Sequence, residues 1–223
     1  MTVVLCGSLG ATSSIFDAQA PVLQDVVRVE HPGHDGAPPA DVRTVADLAA
    51  RVLERAGDER FSFVGLSLGG AVGMQLALTA PERLDVLVLA CTSARFGEPA
   101  HWNERAALVR DKGVEAVVDA VLGRWFTTGA PDGFREMFLS TDRESYARCC
   151  DALARWDVRE ELDAIEAPTL VIAGEQDPST PPEHGELIAS RIPGARFEVI
   201  PKAAHLANVE RADEFNRLLE EHL

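Results

Sequence analysis

Lysine is almost absent from this chain of 223 residues: Lys112 and Lys202 are the only ones, and nearly every basic side chain is an arginine. We read that scarcity as genomic composition rather than function. Positive charge is short altogether, with 21 Lys and Arg against 36 Asp and Glu, for a formal net charge of −15. Such a balance argues against nucleic acid and against an anionic membrane surface as partners. No apolar run approaches the ~20 residues needed to span a bilayer. Met1 to Gly7 is too short, and lacks the charged leader, to be a secretion signal. Cys6, Cys91, Cys149 and Cys150 form no C-x-x-C pair, and no histidines are grouped as metal ligands, so no metal is implied. No G-x-G-x-x-G follows the first apolar run, so no dinucleotide is implied, and no other cofactor. Free thiols in a reducing cytoplasm are the simplest account of the cysteines.

What is present is alternation. Short apolar runs at Val3–Cys6, Asp25–Glu30, Phe61–Val64 and Leu84–Ala90 read as strands. Between them, Ile15–Val22, Val42–Ala56 and Leu68–Thr79 carry helical spacing. This is the pattern of a mainly parallel sheet with helices on both faces, an α/β fold that binds ligands at strand carboxyl ends. From Arg95 to about Ile165 the pattern becomes helical throughout and holds all three tryptophans. It reads as a helical lid, residues 95–165, inserted into a core made of 1–94 and 166–223. Alternation then resumes with a strand at Thr169–Ala173, a helix at Pro182–Arg191, a strand at Arg196–Ile200 and a terminal helix at Val209–Leu219.

The most informative stretch is Gly65-Leu66-Ser67-Leu68-Gly69-Gly70. It joins a strand to a helix, as a G-x-S-x-G nucleophile turn requires. A serine hydroxyl is a weak nucleophile until a base takes its proton and a carboxylate orients the base. Two other loops beyond strand ends carry those groups, Asp177 and His205. The chain order Ser67, Asp177, His205 is that of α/β-hydrolases. Backbone N–H groups of Leu68 and of Leu9, in the loop Gly7-Ser8-Leu9-Gly10, are the expected oxyanion donors, each worth ~3 kcal/mol in the transition state. Glu175 and Asp163 are rival acids that sit less well beyond a strand end. His31 and His34 lie in the turn-rich loop His31–Pro39, which borders the expected pocket. Nothing pairs either with a nucleophile, so a structural or solvated role is expected.

Longer stretches carry a resemblance within that superfamily. Ala80-Pro81-Glu82-Arg83-Leu84, Arg124-Trp125-Phe126-Thr127, Tyr146-Ala147-Arg148-Cys149-Cys150 and Ala203 to Glu210 resemble 3-oxoadipate enol-lactonases. The resemblance covers most of the chain from Phe61 onward. It implies an α/β-hydrolase fold, no cofactor, and hydrolysis of a carboxylate-bearing enol-lactone in aromatic-acid breakdown. It also implies a cation for the substrate's carboxylate, with Arg124 and Arg148 as candidates and Trp125 as an apolar wall. Two departures stand out. The chain starts almost directly at Val3, where members usually have an additional pair of strands. The loop from His31 also lacks the usual Asp-x-Arg-Gly-His-Gly. A general esterase or cofactor-free perhydrolase of the same fold is the alternative, and a small-molecule sensor a more distant one.

Overall fold

The computed structural model describes residues 1–223. Its first strand, β1 (Val3–Cys6), is buried along its whole length. It leads through two short 3-10 turns, Ser13–Phe16 and Ala20–Val22, to β2 (Val26–Val29). The helix expected over Ile15–Val22 is therefore absent. Pro21 has no N–H to donate back along a helix, and the segment tightens into separate turns. Helix α1 (Val45–Ala56) starts three residues later than its apolar spacing suggests, because Thr44 caps it. The Thr44 side chain accepts from Asp47 N–H, and the Asp47 carboxylate accepts from Thr44 N–H, a reciprocal box that satisfies two orphan donors.

Strand β3 (Phe61–Leu66), helix α2 (Leu68–Thr79) and β4 (Leu84–Ala90) follow. The helical segment contains α3 (Pro99–Lys112), α4 (Val118–Trp125), α5 (Phe134–Leu139) and α6 (Arg143–Ala154), and no strand. The chain closes with β5 (Thr169–Gly174), α7 (Pro182–Arg191), β6 (Arg196–Ile200), α8 (Ala207–Glu210) and α9 (Ala212–His222). The expected terminal helix is thus split at Arg211, whose backbone is not helical (φ −132°, ψ 52°). No helix is long and apolar enough to cross a membrane.

The six strands form one sheet in the order β2-β1-β3-β4-β5-β6, and every pair is parallel. β1, β3 and β5 are buried throughout, as strands covered on both faces must be, whereas β2 and β6 are half-exposed edges. β2 forms one border of the sheet and β6 the other. The chain runs outward from β1 to β2, then reverses and adds β3 to β6 on the other side. Because parallel crossovers are right-handed, this reversal puts the β1–β2 connection on the face opposite α1, α2 and α7. The C-terminal helices share that opposite face: Asn208 Nδ2 donates to Ile15 O at 2.7 Å, and Gln19 Nε2 donates to Asn208 O at 3.1 Å. The reversal also makes the carboxyl ends of β1 and β3 neighbours at a switch point, the usual location of a ligand crevice.

Contact across that switch point is tight. A Cβ on Gly69 would stand 2.0 Å from the Cys6 carbonyl oxygen, so α2 can approach β1 only with glycine there. Gly69→Ala is expected to lose about 3 kcal/mol or more of stability in urea unfolding. Gly123→Ala, with nothing within 4 Å of its new methyl, is the matched control and stays neutral or gains stability. Equal effects of the two substitutions would contradict this packing.

Candidate active site

Ser67 sits between β3 and α2 with φ 58° and ψ −112°, a backbone conformation that a residue with a side chain adopts only under constraint. The constraints are visible. Ser67 N–H donates to Ala90 O at 2.9 Å, and Thr92 Oγ1 donates to Ser67 O at 2.7 Å, both from the end of β4. Gly69 N–H donates to Gly7 O at 3.0 Å, which ties the turn to the loop after β1. Leu68 opens α2, so its N–H has no partner four residues back within the helix. The N–H of Leu9 likewise has no protein acceptor. Both expected oxyanion donors are thus free of protein acceptors, and Leu9 lines the same cavity as Ser67.

Asp177 and His205 come from the loops after β5 and β6. His205 Nδ1 lies 2.7 Å from Asp177 Oδ2, and both side chains are buried. The second carboxylate oxygen accepts from Ser179 N–H at 2.8 Å and Thr180 N–H at 3.2 Å, while Thr180 Oγ1 donates to Oδ2 at 2.7 Å. Burial works against the charge of Asp177. The adjacent His205 and these hydrogen bonds outweigh it and hold the carboxyl below its usual range. The rival acids are engaged elsewhere: Glu175 accepts from Lys202 N–H, and Asp163 pairs with Arg191 on the surface. Glu210 holds the neighbourhood of His205 from below. One of its oxygens accepts from Ala204 N–H at 2.7 Å, and the other accepts from Thr127 N–H and Oγ1 in the helical segment.

Ser67 and His205 border one cavity of about 400 Å³, roofed by the helical segment. Arg124 and Trp125 line it, as expected, but Arg148 does not. Arg148 is occupied on the surface by Asp41 and by Glu144, the latter at 3.1 Å, so its assignment as a substrate contact is corrected. Arg105 replaces it. This arginine of α3 faces the cavity, with its guanidinium carbon 4.8 Å from the centre of the Trp102 ring. Neither Arg105 nor Arg124 is ion-paired, although Arg95, Arg110 and Arg148 of the same segment all are. Burial, and then the charge of Arg105, lowers the pKa of Arg124. Not one carboxylate lines the cavity. The sequence did contain a signal for Arg105, since His101, Trp102 and Arg105 recur at helical spacing.

His31 and His34 are buried and do not line the cavity, so the loop His31–Pro39 does not border it as expected. Burial lowers their pKa values to about 4 and about 3.

A model of the alpha/beta hydrolase family matches residues 3–218, and the chain belongs to that family. It is a hydrolase of ester bonds. It is 34% identical to 3-oxoadipate enol-lactonase 2 of Acinetobacter baylyi, over 98% of this chain and 86% of the relative. Among solved structures it superimposes on the enol-lactonase of Burkholderia xenovorans with a TM-score of 0.93 at 34% identity, covering 99% of this chain and 90% of that one. A thermophilic esterase of Thermogutta terrifontis with malate bound gives 0.90 at 27% identity, covering 99% and 88%.

The two buried histidines carry a pH signature. Unfolded, each takes up a proton near pH 6.5; folded, each stays neutral until about pH 4 and about pH 3. Below pH 6.5 the unfolded state therefore binds more protons, and stability falls as the pH falls. The expected loss is about 2 kcal/mol per histidine between pH 7 and 5. Urea unfolding at several pH values checks it, and a flat profile over that range would contradict burial of the neutral rings.

Proposed function

We propose that this protein opens a carboxylate-bearing enol-lactone, 3-oxoadipate enol-lactone, to 3-oxoadipate through an acyl-enzyme on Ser67. One observation carries this reading. A single cavity joins the serine hydroxyl and the carboxylate-oriented imidazole to two unpaired guanidiniums, with no acid in its lining. In a chain of net charge −15, such a lining selects an anion.

The steps follow from the groups present. Ser67 Oγ attacks the lactone carbonyl carbon while His205 takes its proton, and Asp177 stabilises the imidazolium through Nδ1–H. The carbonyl electrons move onto oxygen, where the N–H groups of Leu68 and Leu9 receive them. Collapse breaks the ring C–O bond. The leaving oxygen departs as an enolate and takes the proton from His205 to give the enol, which then becomes the ketone by gaining a proton at its α-carbon and losing the one on oxygen. Water, deprotonated by His205, then attacks the acyl carbon, and Ser67 regains its hydrogen. Arg105 and Arg124 hold the substrate's free carboxylate against Trp125 throughout. Residues 95–165 act as the lid over a core formed by 1–94 and 166–223. We assign the enzyme to the cytoplasm and to aromatic-acid degradation, consistent with four free, buried cysteines and with the enol-lactonase relatives.

The test follows loss of ultraviolet absorbance of the enol-lactone. Ser67→Ala is expected to lower kcat by about 10⁴-fold or more. Turnover by wild type no faster than by Ser67→Ala would refute the assignment. The Thermogutta terrifontis esterase supports a second reading, a general carboxylesterase, and a higher kcat/KM on simple acyl esters than on the lactone would favour that instead.

The arginines have their own signature. Arg105→Met and Arg124→Met are each expected to lower kcat/KM for the lactone about 10- to 100-fold, with little change for neutral p-nitrophenyl acetate. Equal losses on both substrates would argue against a carboxylate subsite.

A further inference from the structure

The loop that carries Leu9 is gripped from behind by the two buried histidines. Gly10 N–H lies 2.9 Å from His34 Nε2. A backbone N–H can only donate, so Nε2 must be a bare acceptor. The ring hydrogen is then on Nδ1, which lies 3.0 Å from the Pro32 carbonyl oxygen and donates to it. His31 works in the opposite sense. Its Nε2 lies 2.8 Å from Gly7 O, so it carries a hydrogen and donates. The same Gly7 oxygen accepts from Gly69 N–H in the Ser67 turn. The rings pack edge to face, with centroids 5.6 Å apart.

Three consecutive peptide planes are involved. The Gly7–Ser8 plane is fixed through its carbonyl by His31 and Gly69. The Leu9–Gly10 plane is fixed through its N–H by His34. The plane between them carries Leu9 N–H, and its carbonyl, Ser8 O, accepts from Ala11 N–H at 3.1 Å. In a trans peptide the N–H points opposite the carbonyl, so this last bond turns Leu9 N–H away from Ala11. Gly10 has φ +84°, a residue free to swing unless something holds it.

We propose that His34 is a positioning residue for the reaction: as a neutral acceptor it locks the Leu9–Gly10 peptide, and with His31 on Gly7 it keeps Leu9 N–H aimed at the developing oxyanion. This inference rests on the reading of Leu9 N–H as an oxyanion donor. Burial supports it by lowering the His34 pKa to about 3, so the ring is neutral and its acceptor lone pair is available near neutral pH. The other groups that face His34 are His31 beside it and Asp142 at the start of α6. Asp142 is itself occupied, accepting from Ser145 N–H and Oγ, while its own N–H ties the histidine loop through Gly33 O at 2.8 Å.

The experiment compares His34→Leu, which removes the acceptor, with His34→Gln, whose side-chain oxygen can accept from Gly10 N–H. Each is measured for kcat and KM on the enol-lactone and on p-nitrophenyl acetate. Each is also titrated with an aryl trifluoromethyl ketone, which forms a tetrahedral oxyanion on a serine. A misplaced donor acts on the transition state alone. His34→Leu should therefore lose about 10- to 100-fold in kcat with KM little changed, and lose trifluoromethyl ketone affinity by the same factor. His34→Gln should recover most of both. A folded leucine variant with wild-type kcat overturns the inference, as does a loss that falls on KM alone. If the leucine variant does not fold, the glutamine variant is compared with His34→Met, a weak acceptor of similar size. Equal kcat in those two variants overturns the inference, and a lower kcat in the methionine variant supports it. Ser67→Ala separates the layers. If it is as active as wild type, the serine mechanism itself falls. If it is inactive while His34→Leu is unimpaired, only the role of His34 falls.

Discussion

Ser67 can hold its left-handed backbone only because glycines stand on either side of it. A Cβ at Gly65 would meet the carbonyl oxygen of Gly69 at 2.2 Å, and one at Gly69 would meet that of Cys6 at 2.0 Å. Removing those two side chains lets a helix begin almost in contact with the neighbouring strand. The strain at Ser67, of order 1–3 kcal/mol, is offset by hydrogen bonds from the ends of β1 and β4. Everything else in the site is arranged around this turn. The Leu9 loop reaches it through Gly7, and the imidazole of His205 shares its cavity, held by a carboxylate with its hydrogen bonds satisfied.

The electrostatics of the cavity run against those of the molecule. The surface carries a large excess of acid, and most arginines there are neutralised by it, as Arg43, Arg110, Arg148 and Arg191 show. Such exposed pairs contribute little to stability. Arg105 and Arg124 are kept apart from this exchange by partial burial and by a lining without carboxylates. An incoming anion thus meets the two uncompensated positive charges only after it has passed a negative exterior.

Much of this was legible in the sequence, for an identifiable reason. Ser67, Asp177 and His205 each follow a short apolar run, and in a parallel sheet all such positions fall at one rim. Local pattern therefore located groups that lie far apart in the chain. Helix and strand limits failed where one residue overruled the pattern, at Pro21 and Arg211, or where a cap moved the start, at Thr44. The cavity arginines were only half legible. Arg124 and Arg148 look alike in sequence, and what separates them is Asp41, more than 100 positions away from Arg148. The histidine loop was legible only as structural. That His34 accepts and His31 donates depends on two backbone groups brought close by the β1–β2 crossover, and no spacing encodes that.

Glu210 links parts that a simple picture of roof and floor would separate. Its carboxylate joins Thr127 of the helical segment to the peptide just before His205. Leu206 N–H adds a further tie to Trp125 O at 3.0 Å. A roof swinging clear of the pocket would have to break the two bonds from Thr127 and the one to Trp125 O, or drag the His205 loop with it. Opening of the roof is thus coupled to the peptides on either side of His205.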